Sequence, residues 1–246
     1  MTELILGTVT GETEDGQVTI TCPVPDNLEA WSKQNPTSVL IKFCDGRKAS
    51  PEQIKKAHAM INDIAAYTGE YPDYLKNELK KKFILEKLDD LETDMFSFRD
   101  CSMERARLFI TFLIDLMIQY EIPSSVPLYQ HAEDIKAYVY MCLLNKTCCV
   151  CGRKGVDLHH ALVPLGMGAD RNTKPQLGWP VISLCRAHHN EAHAGERKFF
   201  KAYHLEPVKL DARIADVYKM PKATRKVAKE WESRIWWVND SGDLQW

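Results

Sequence analysis

A chain of 246 residues with 45% hydrophobic and 27% charged side chains has the composition of an ordinary globular protein and room for one large domain or two small ones. No apolar run reaches the roughly 18–20 residues of a bilayer span, and the opening Met1-Thr2-Glu3-Leu4-Ile5-Leu6-Gly7 lacks a basic n-region. A membrane protein and a secreted one are both excluded from expectation, and the expected compartment is the cytoplasm. The formal net charge is −2, but Lys+Arg against Asp+Glu is 15 against 23 in residues 1–144 and 17 against 11 in residues 145–246, leaving −8 and +6. A basic C-terminal part beside an acidic one fits a polyanion-binding module joined to something else, although solvated charge without a partner fits this asymmetry equally.

In chain order, residues 3–10 and 17–24 are β-rich runs around an Asp15-Gly16 turn signal, and Ser38 to Phe43 reads as a third strand. The period then changes. Ser50-Pro51-Glu52 has the form of an N-cap followed by Pro at the first helical position, and Ile54, Ala57, Ile61, Ile64 and Ala65 recur at helical spacing up to Gly69. A second helix is expected from Pro72, carrying Lys76, Lys80, Lys81 and Lys82. Ser102-Met103-Glu104-Arg105 starts a third, with an apolar face through Leu108, Phe112, Leu116 and Tyr120 before Pro123. A further helix covers about 130–144. From Lys146 the composition shifts to Cys, His and Gly, which places a boundary near 145. After Pro207 come a mixed stretch, a basic helix over about Pro221–Trp236 and a Trp-containing tail.

Four of eight cysteines crowd into the segment that also holds most of the histidines, whereas Cys22, Cys44, Cys101 and Cys142 are scattered as core thiols would be. Cys148 and Cys151 have CxxC spacing, which lets two thiolates on a tight turn reach one tetrahedral ion while Gly152 permits the reversal. After 33 intervening residues, Cys185 and His188 repeat the spacing as CxxH and complete a closed structural Zn2+ site. His189 competes with His188 for that role, since Cys185 lies near both the i+3 and i+4 positions of a helix.

A second constellation overlaps the first. If residues 186–200 are helical, His189 and His193 at i, i+4 project from one face and can bind the same ion, while His188 points about 100° away. In the strand-like segment 156–163, His159 and His160 alternate faces. One can join the helical pair at the ion, and the other is left to act as a base nearby. Imidazole is suited to that work because it exchanges protons near neutral pH.

This pattern resembles the HNH (ββα-metal) endonucleases in the variant with a zinc knuckle and paired histidines. The resemblance implies that His159, His189 and His193 hold a catalytic divalent cation such as Mg2+, Mn2+, Ni2+ or Zn2+, that His160 is the general base, and that DNA phosphodiesters are cleaved. The family commonly carries an Asn shortly before the second zinc pair, where this chain has Trp179-Pro180-Val181-Ile182-Ser183. Asn172 is the candidate substitute, and the departure bears on loop geometry more than on cleavage. Arg153, Lys154, Arg171, Lys174, Arg186, Arg197 and Lys198 are candidates to track the DNA backbone.

The N-terminal part shows no catalytic cluster, and its residues alone specify only an α+β unit. Val39 to Lys42, Asp45-Gly46-Arg47-Lys48-Ala49-Ser50-Pro51-Glu52-Gln53, the helix through His58 and Asp63-Ile64, the run Lys76 to Phe83 and Ser102-Met103-Glu104 resemble the phage Orf/NinB recombination proteins over about residues 38–125. That resemblance implies a homodimeric binder of single-stranded or branched DNA, working with SSB and loading a RecA-type recombinase in a phage-infected bacterium. Arg47, Lys48, Lys55, Lys56, Lys76, Lys80, Lys81 and Lys82 would then line a DNA path. The resulting expectation is an α+β chain with an Orf-like domain over 1–144, a zinc-knuckle ββα-metal HNH domain over 145–206 and a basic helical tail over 207–246. Two other functions fit the same motifs: a zinc-containing mediator that holds single-stranded DNA without cutting it, and a homing or restriction-type HNH endonuclease.

Overall fold

The computed structural model describes residues 8–12, 17–21, 46–87, 95–161, 175–221 and 224. Thr8–Glu12 (β1) and Val18–Thr21 (β2) pair antiparallel, as the Asp15-Gly16 signal between them predicts. The strand expected over 38–43, the basic helix over 221–236, Asn172, Arg171 and Lys174 lie outside the described residues, apart from Pro221 and Thr224 of that helix.

The first helix, α1 (Pro51–Thr68), begins where the cap signal sits. The Ser50 side chain accepts from the Gln53 backbone, the Gln53 side chain accepts from the Ser50 backbone, and Gly69 closes the helix in the left-handed conformation at φ 77°. After it come α2 (Pro72–Lys87) and α3 (Met103–Gln119), the latter capped by Ser102. The buried residues of α3 include Ala106, Phe109, Ile110, Leu113, Met117 and Ile118, while Leu108 and Leu116 are half-buried and Tyr120 is exposed. Of the face read from the sequence, Phe112 alone is fully buried. With apolar residues around most of its circumference, this helix carries more than one stripe at helical spacing, and the chosen one lies on the flank.

Phe83 of α2, Phe96 and Phe98 of the segment that follows, and Phe109 and Phe112 of α3 form an aromatic cluster in which most pairs meet edge-to-face and Phe109 stacks on Phe112. Lys80 is buried within it, its Nζ donating to the Phe96 carbonyl at 2.9 Å and lying 4.3 Å from the Phe98 ring centre. That placement corrects the expectation that Lys80 lines a DNA path, because no phosphate reaches an ammonium enclosed by rings. Burial, then the charge of Lys76, pull it below the usual lysine range.

The helix expected over 130–144 is two, α4 (Leu128–His131) and α5 (Ile135–Leu144), because the chain turns extended at Ala132 and Asp134 caps the second helix through the Ala137 N–H. Beyond the turn at 145–155 lie β3 (Val156–His160), β4 (Pro180–Cys185), α6 (Arg186–Ala194), α7 (Glu196–Tyr203), β5 (Val208–Lys209) and α8 (Ala212–Val217). β4 is the centre of an antiparallel sheet of order β3-β4-β5. Helix α5 packs on β4, α3 and α8. The buried apolar residues run as one cluster from Ala57 in α1 through Leu143 and Cys149 to Val181, Leu184 and Met220. An α+β fold is therefore observed, with a continuous core crossing position 145.

Candidate metal centre

Cys148, Cys151, Cys185 and His188 offer ligand atoms that all lie within 4.8 Å of one another. The chain reaches this arrangement through local geometry at both ends. Just past Cys151 the backbone reverses at Gly152, φ 70°, with Gly152 N–H bonded to the Cys148 carbonyl and Cys148 N–H to the Arg153 carbonyl, each at 2.9 Å. The Cys149 N–H donates to the Ser183 carbonyl, which pins this turn to β4. At the other end Cys185 leaves β4 as the N-cap of α6, and His188 follows one turn later.

A tetrahedral zinc with Zn–S near 2.3 Å and Zn–N near 2.0–2.1 Å requires S···S edges of about 3.8 Å and S···N edges of about 3.6 Å. Cys151 Sγ lies 3.8 Å from Cys185 Sγ, and His188 Nδ1 lies 3.5 Å from Cys148 Sγ and 3.2 Å from Cys185 Sγ. The donor set therefore fits a zinc-sized ion. The thiols are unequal: burial pushes Cys148 up to about 12, whereas at Cys185 burial is outweighed by hydrogen bonds from the His188 backbone and ring, bringing it to about 7. A thiol at a helix N-terminus is expected to ionise readily. Cys149, between the ligands in sequence, points away and meets the Ser183 hydroxyl at 3.3 Å.

The second group is His159, His189 and His193, again with ligand nitrogens all within 4.8 Å. Ring centres are 4.8–5.0 Å apart. His159 comes from β3, and His189 and His193 come from one face of α6. The helix settles the competition between the neighbours, since His188 turns to the cysteines and His189 to the other imidazoles. The helix expected over 186–200 breaks at Gly195, where the backbone is extended, so α7 restarts at Glu196. Burial, outweighing a raising contact from Glu196, holds His159 below the usual histidine range and so favours the neutral, ligating form.

Strand alternation sends the neighbouring imidazole elsewhere. His160 Nε2 lies 2.7 Å from Oε1 of the buried Gln176, and its ring stands edge-on to Trp179 with centres 5.8 Å apart. Three more polar partners escaped sequence reading. Asp157 Oδ2 is 3.3 Å from His189 Nδ1 and 3.2 Å from an Arg186 guanidinium nitrogen, Glu196 Oε1 is 3.0 Å from His159 Nε2, and Gln176 holds His160. The one available signal was the i, i+2 spacing of Asp157 and His159 on one strand face.

The predicted DNA contacts divide by environment. Arg186, Arg153, Lys154, Arg197 and Lys198 are exposed in the half that carries the histidines. Lys154 also reaches the Asn145 carbonyl and Glu121. In the N-terminal half Lys48 pairs with Asp100, Lys56 with Glu133, Lys76 with Asp73, Lys81 with Glu78 and Lys82 with Glu86, while Lys55 is exposed and the Arg47 carbonyl accepts from Met103 N–H. Among the described residues, no helix is long and apolar enough to cross a membrane.

No curated protein and no solved structure matches the chain. The family model described as "Putative HNHc nuclease" matches residues 25–221, running unbroken across position 145. With a ββα arrangement of β3, β4 and α6 carrying two Cys/His groups, and with four fifths of its length inside that match, the chain belongs to the HNHc nuclease family and is a metal-dependent endonuclease.

Proposed function

We propose that the chain hydrolyses DNA phosphodiesters, with His160 as general base, His159, His189 and His193 holding the catalytic divalent cation, and Cys148, Cys151, Cys185 and His188 holding a structural Zn2+. The observation that carries this reading is the meeting of three imidazoles from β3 and α6, with a fourth, His160, next to His159 on β3 and held by a different partner. A divalent ion in that site supplies positive charge to the scissile phosphate and to the departing 3′ oxygen. Three imidazoles suit Zn2+, Ni2+ or Mn2+, while phosphate contact recruits Mg2+, so the donor set admits all four.

The residues of the chain do the remaining work. Donation of the His160 Nε2 proton to Gln176 leaves the Nδ1 lone pair to take a proton from the attacking water. Gln176 is thus a positioning residue, itself held through its backbone N–H by the Thr224 hydroxyl at 3.2 Å. Arg186, Arg153, Lys154, Arg197 and Lys198 supply sequence-independent phosphate contacts.

The resemblance of residues 38–125 to Orf/NinB proteins supports a finer reading, in which this nuclease acts on single-stranded or branched DNA during phage recombination. It would do so in the host cytoplasm as a homodimer, beside SSB and a RecA-type recombinase. Incubating the zinc-loaded protein with single-stranded circles, supercoiled plasmid, flaps and junctions, with and without chelator and with each metal restored, tests both levels. Cleavage that chelator abolishes and metal restores supports the nuclease, and preference for single-stranded or branched substrates supports the recombination role. DNA retained but uncut under every metal favours a non-catalytic mediator, and cutting at one defined sequence favours a homing or restriction-type enzyme.

A further inference from the structure

Two carboxylates, one from β3 and one from α7, stand against rings of the imidazole group, and neither was assigned a role from the sequence. Asp157 belongs to β3, two residues before His159, and its Oδ2 lies 3.3 Å from Nδ1 of His189. Glu196 opens α7, three residues after His193, and its Oε1 lies 3.0 Å from Nε2 of His159. Each side chain is partly shielded from solvent, at 38% and 28% exposure, and the His159 side chain is 3% exposed. Neither carboxylate belongs to the group of three ligand nitrogens within 4.8 Å of one another. They touch the site through the rings.

We propose that Asp157 and Glu196 are positioning residues that fix which nitrogen His189 and His159 present to the divalent cation. The inference rests on the assignment of that site under the proposed function. A neutral imidazole carries one N–H and one lone pair, and a carboxylate accepting the N–H dictates the tautomer and the ring plane. Asp157 accepts from Nδ1 of His189, leaving Nε2 as the ligand atom. Glu196 accepts from Nε2 of His159, leaving Nδ1. The two rings are therefore locked in opposite tautomers, one by a strand residue and one by the helix that follows Gly195. Asp157 also forms an ion pair with Arg186 at 3.2 Å, so the residue that orients His189 also restrains an exposed guanidinium. Negative charge behind the rings raises their basicity towards a cation, and loss of such partners typically costs about 10- to 100-fold in metal affinity.

The test uses the full chain with zinc at the cysteine group, and Mn2+ as the probe for the second site, titrated by electron paramagnetic resonance. Asp157→Asn and Glu196→Gln each weaken Mn2+ binding about 10- to 100-fold, with the zinc content unchanged as the measure of intact folding. Long-range proton–nitrogen spectra of the metal-free second site supply a readout that a merely structural role would not move. Wild type shows Nδ1–H at His189 and Nε2–H at His159, whereas Asp157→Ala and Glu196→Ala each return their own ring to a mixture and leave the other unchanged. Unchanged tautomers, or Mn2+ affinity within about threefold of wild type in both carboxylate variants, overturn the proposal. His193→Ala separates the two levels. If it leaves Mn2+ affinity intact, the three-histidine site itself is wrong and this inference falls with it; if it weakens binding and the carboxylate variants do not, this inference alone is wrong.

Discussion

Helix α6 carries ligands of both groups, Cys185 as its N-cap and His188 on one side and His189 and His193 on the other, so losing the structural ion should disable the second site without touching its ligands. The magnitude follows from how little else fixes this helix. It has nine residues, a length that is marginal for an isolated helix in water, and Ala192 is its one buried residue. A buried methyl contributes roughly 0.8 kcal/mol, and the Glu191–Tyr203 hydrogen bond to α7 is exposed. Against this, ordering each backbone residue costs about 1–2 kcal/mol, so these contacts and the Asp157 pairs to His189 and Arg186 leave α6 reliant, under the proposed zinc assignment, on the cysteine-held ion for its orientation. Cys151→Ser is the suitable perturbation, because Cys151 is exposed and its hydroxyl replacement strands no buried polar group, as a serine at fully buried Cys148 would. If the docked helix falls from nearly complete to a tenth of the population, apparent affinity at the second site falls about tenfold, equivalent to ~1.4 kcal/mol. Elemental analysis reads loss of one zinc per chain, and Mn2+ titration reads the second site. A Cys151→Ser protein that has lost its zinc yet binds Mn2+ within twofold of wild type would refute the coupling.

Other expectations follow from single side chains. Lys80→Met leaves the Phe96 carbonyl without its donor and should cost about 1–3 kcal/mol in denaturant unfolding, while the salt dependence of DNA binding is unchanged because Lys80 meets no phosphate. His131 is buried, its Nε2 has no hydrogen-bond partner among the described residues, and burial followed by Lys56 depresses its titration. A group depressed in the folded state contributes stability that is complete above its unfolded value, near 6.5, and lost as pH falls below it. Unfolding free energy should therefore decline from pH 7.5 to pH 5, and His131→Gln should flatten that decline; an identical slope in the variant counts against the assignment.

How much of this was legible in the sequence depended on whether the controlling interaction was local. Ser50, Pro51 and Gly69 act locally at the two ends of α1, and their pattern marked its limits to the residue. Cys148, Cys151, Cys185 and His188 were recognisable because thiolate and imidazole spacings on turns and helix starts are narrow. The split between His188 and His189 needed the helix to begin at Arg186, which places the two rings on different sides. Lys80 and the face of α3 were misread because both depend on how several helices close around Phe83 and Phe109, which no periodicity in a uniformly apolar segment reports. Gln176 and Glu196 meet their histidines across 16 and 37 residues of separation, so only the folded chain pairs them.

Cleavage of supercoiled plasmid by His160→Ala and by His189→Ala, each with Mn2+ binding measured in parallel, bears most directly on the roles assigned to the four imidazoles. His160→Ala should bind the second ion as wild type does and lose about 10²- to 10⁴-fold in cleavage rate, whereas His189→Ala should lose both. Undiminished cleavage by His160→Ala, or Mn2+ binding unaffected by His189→Ala, would contradict the account.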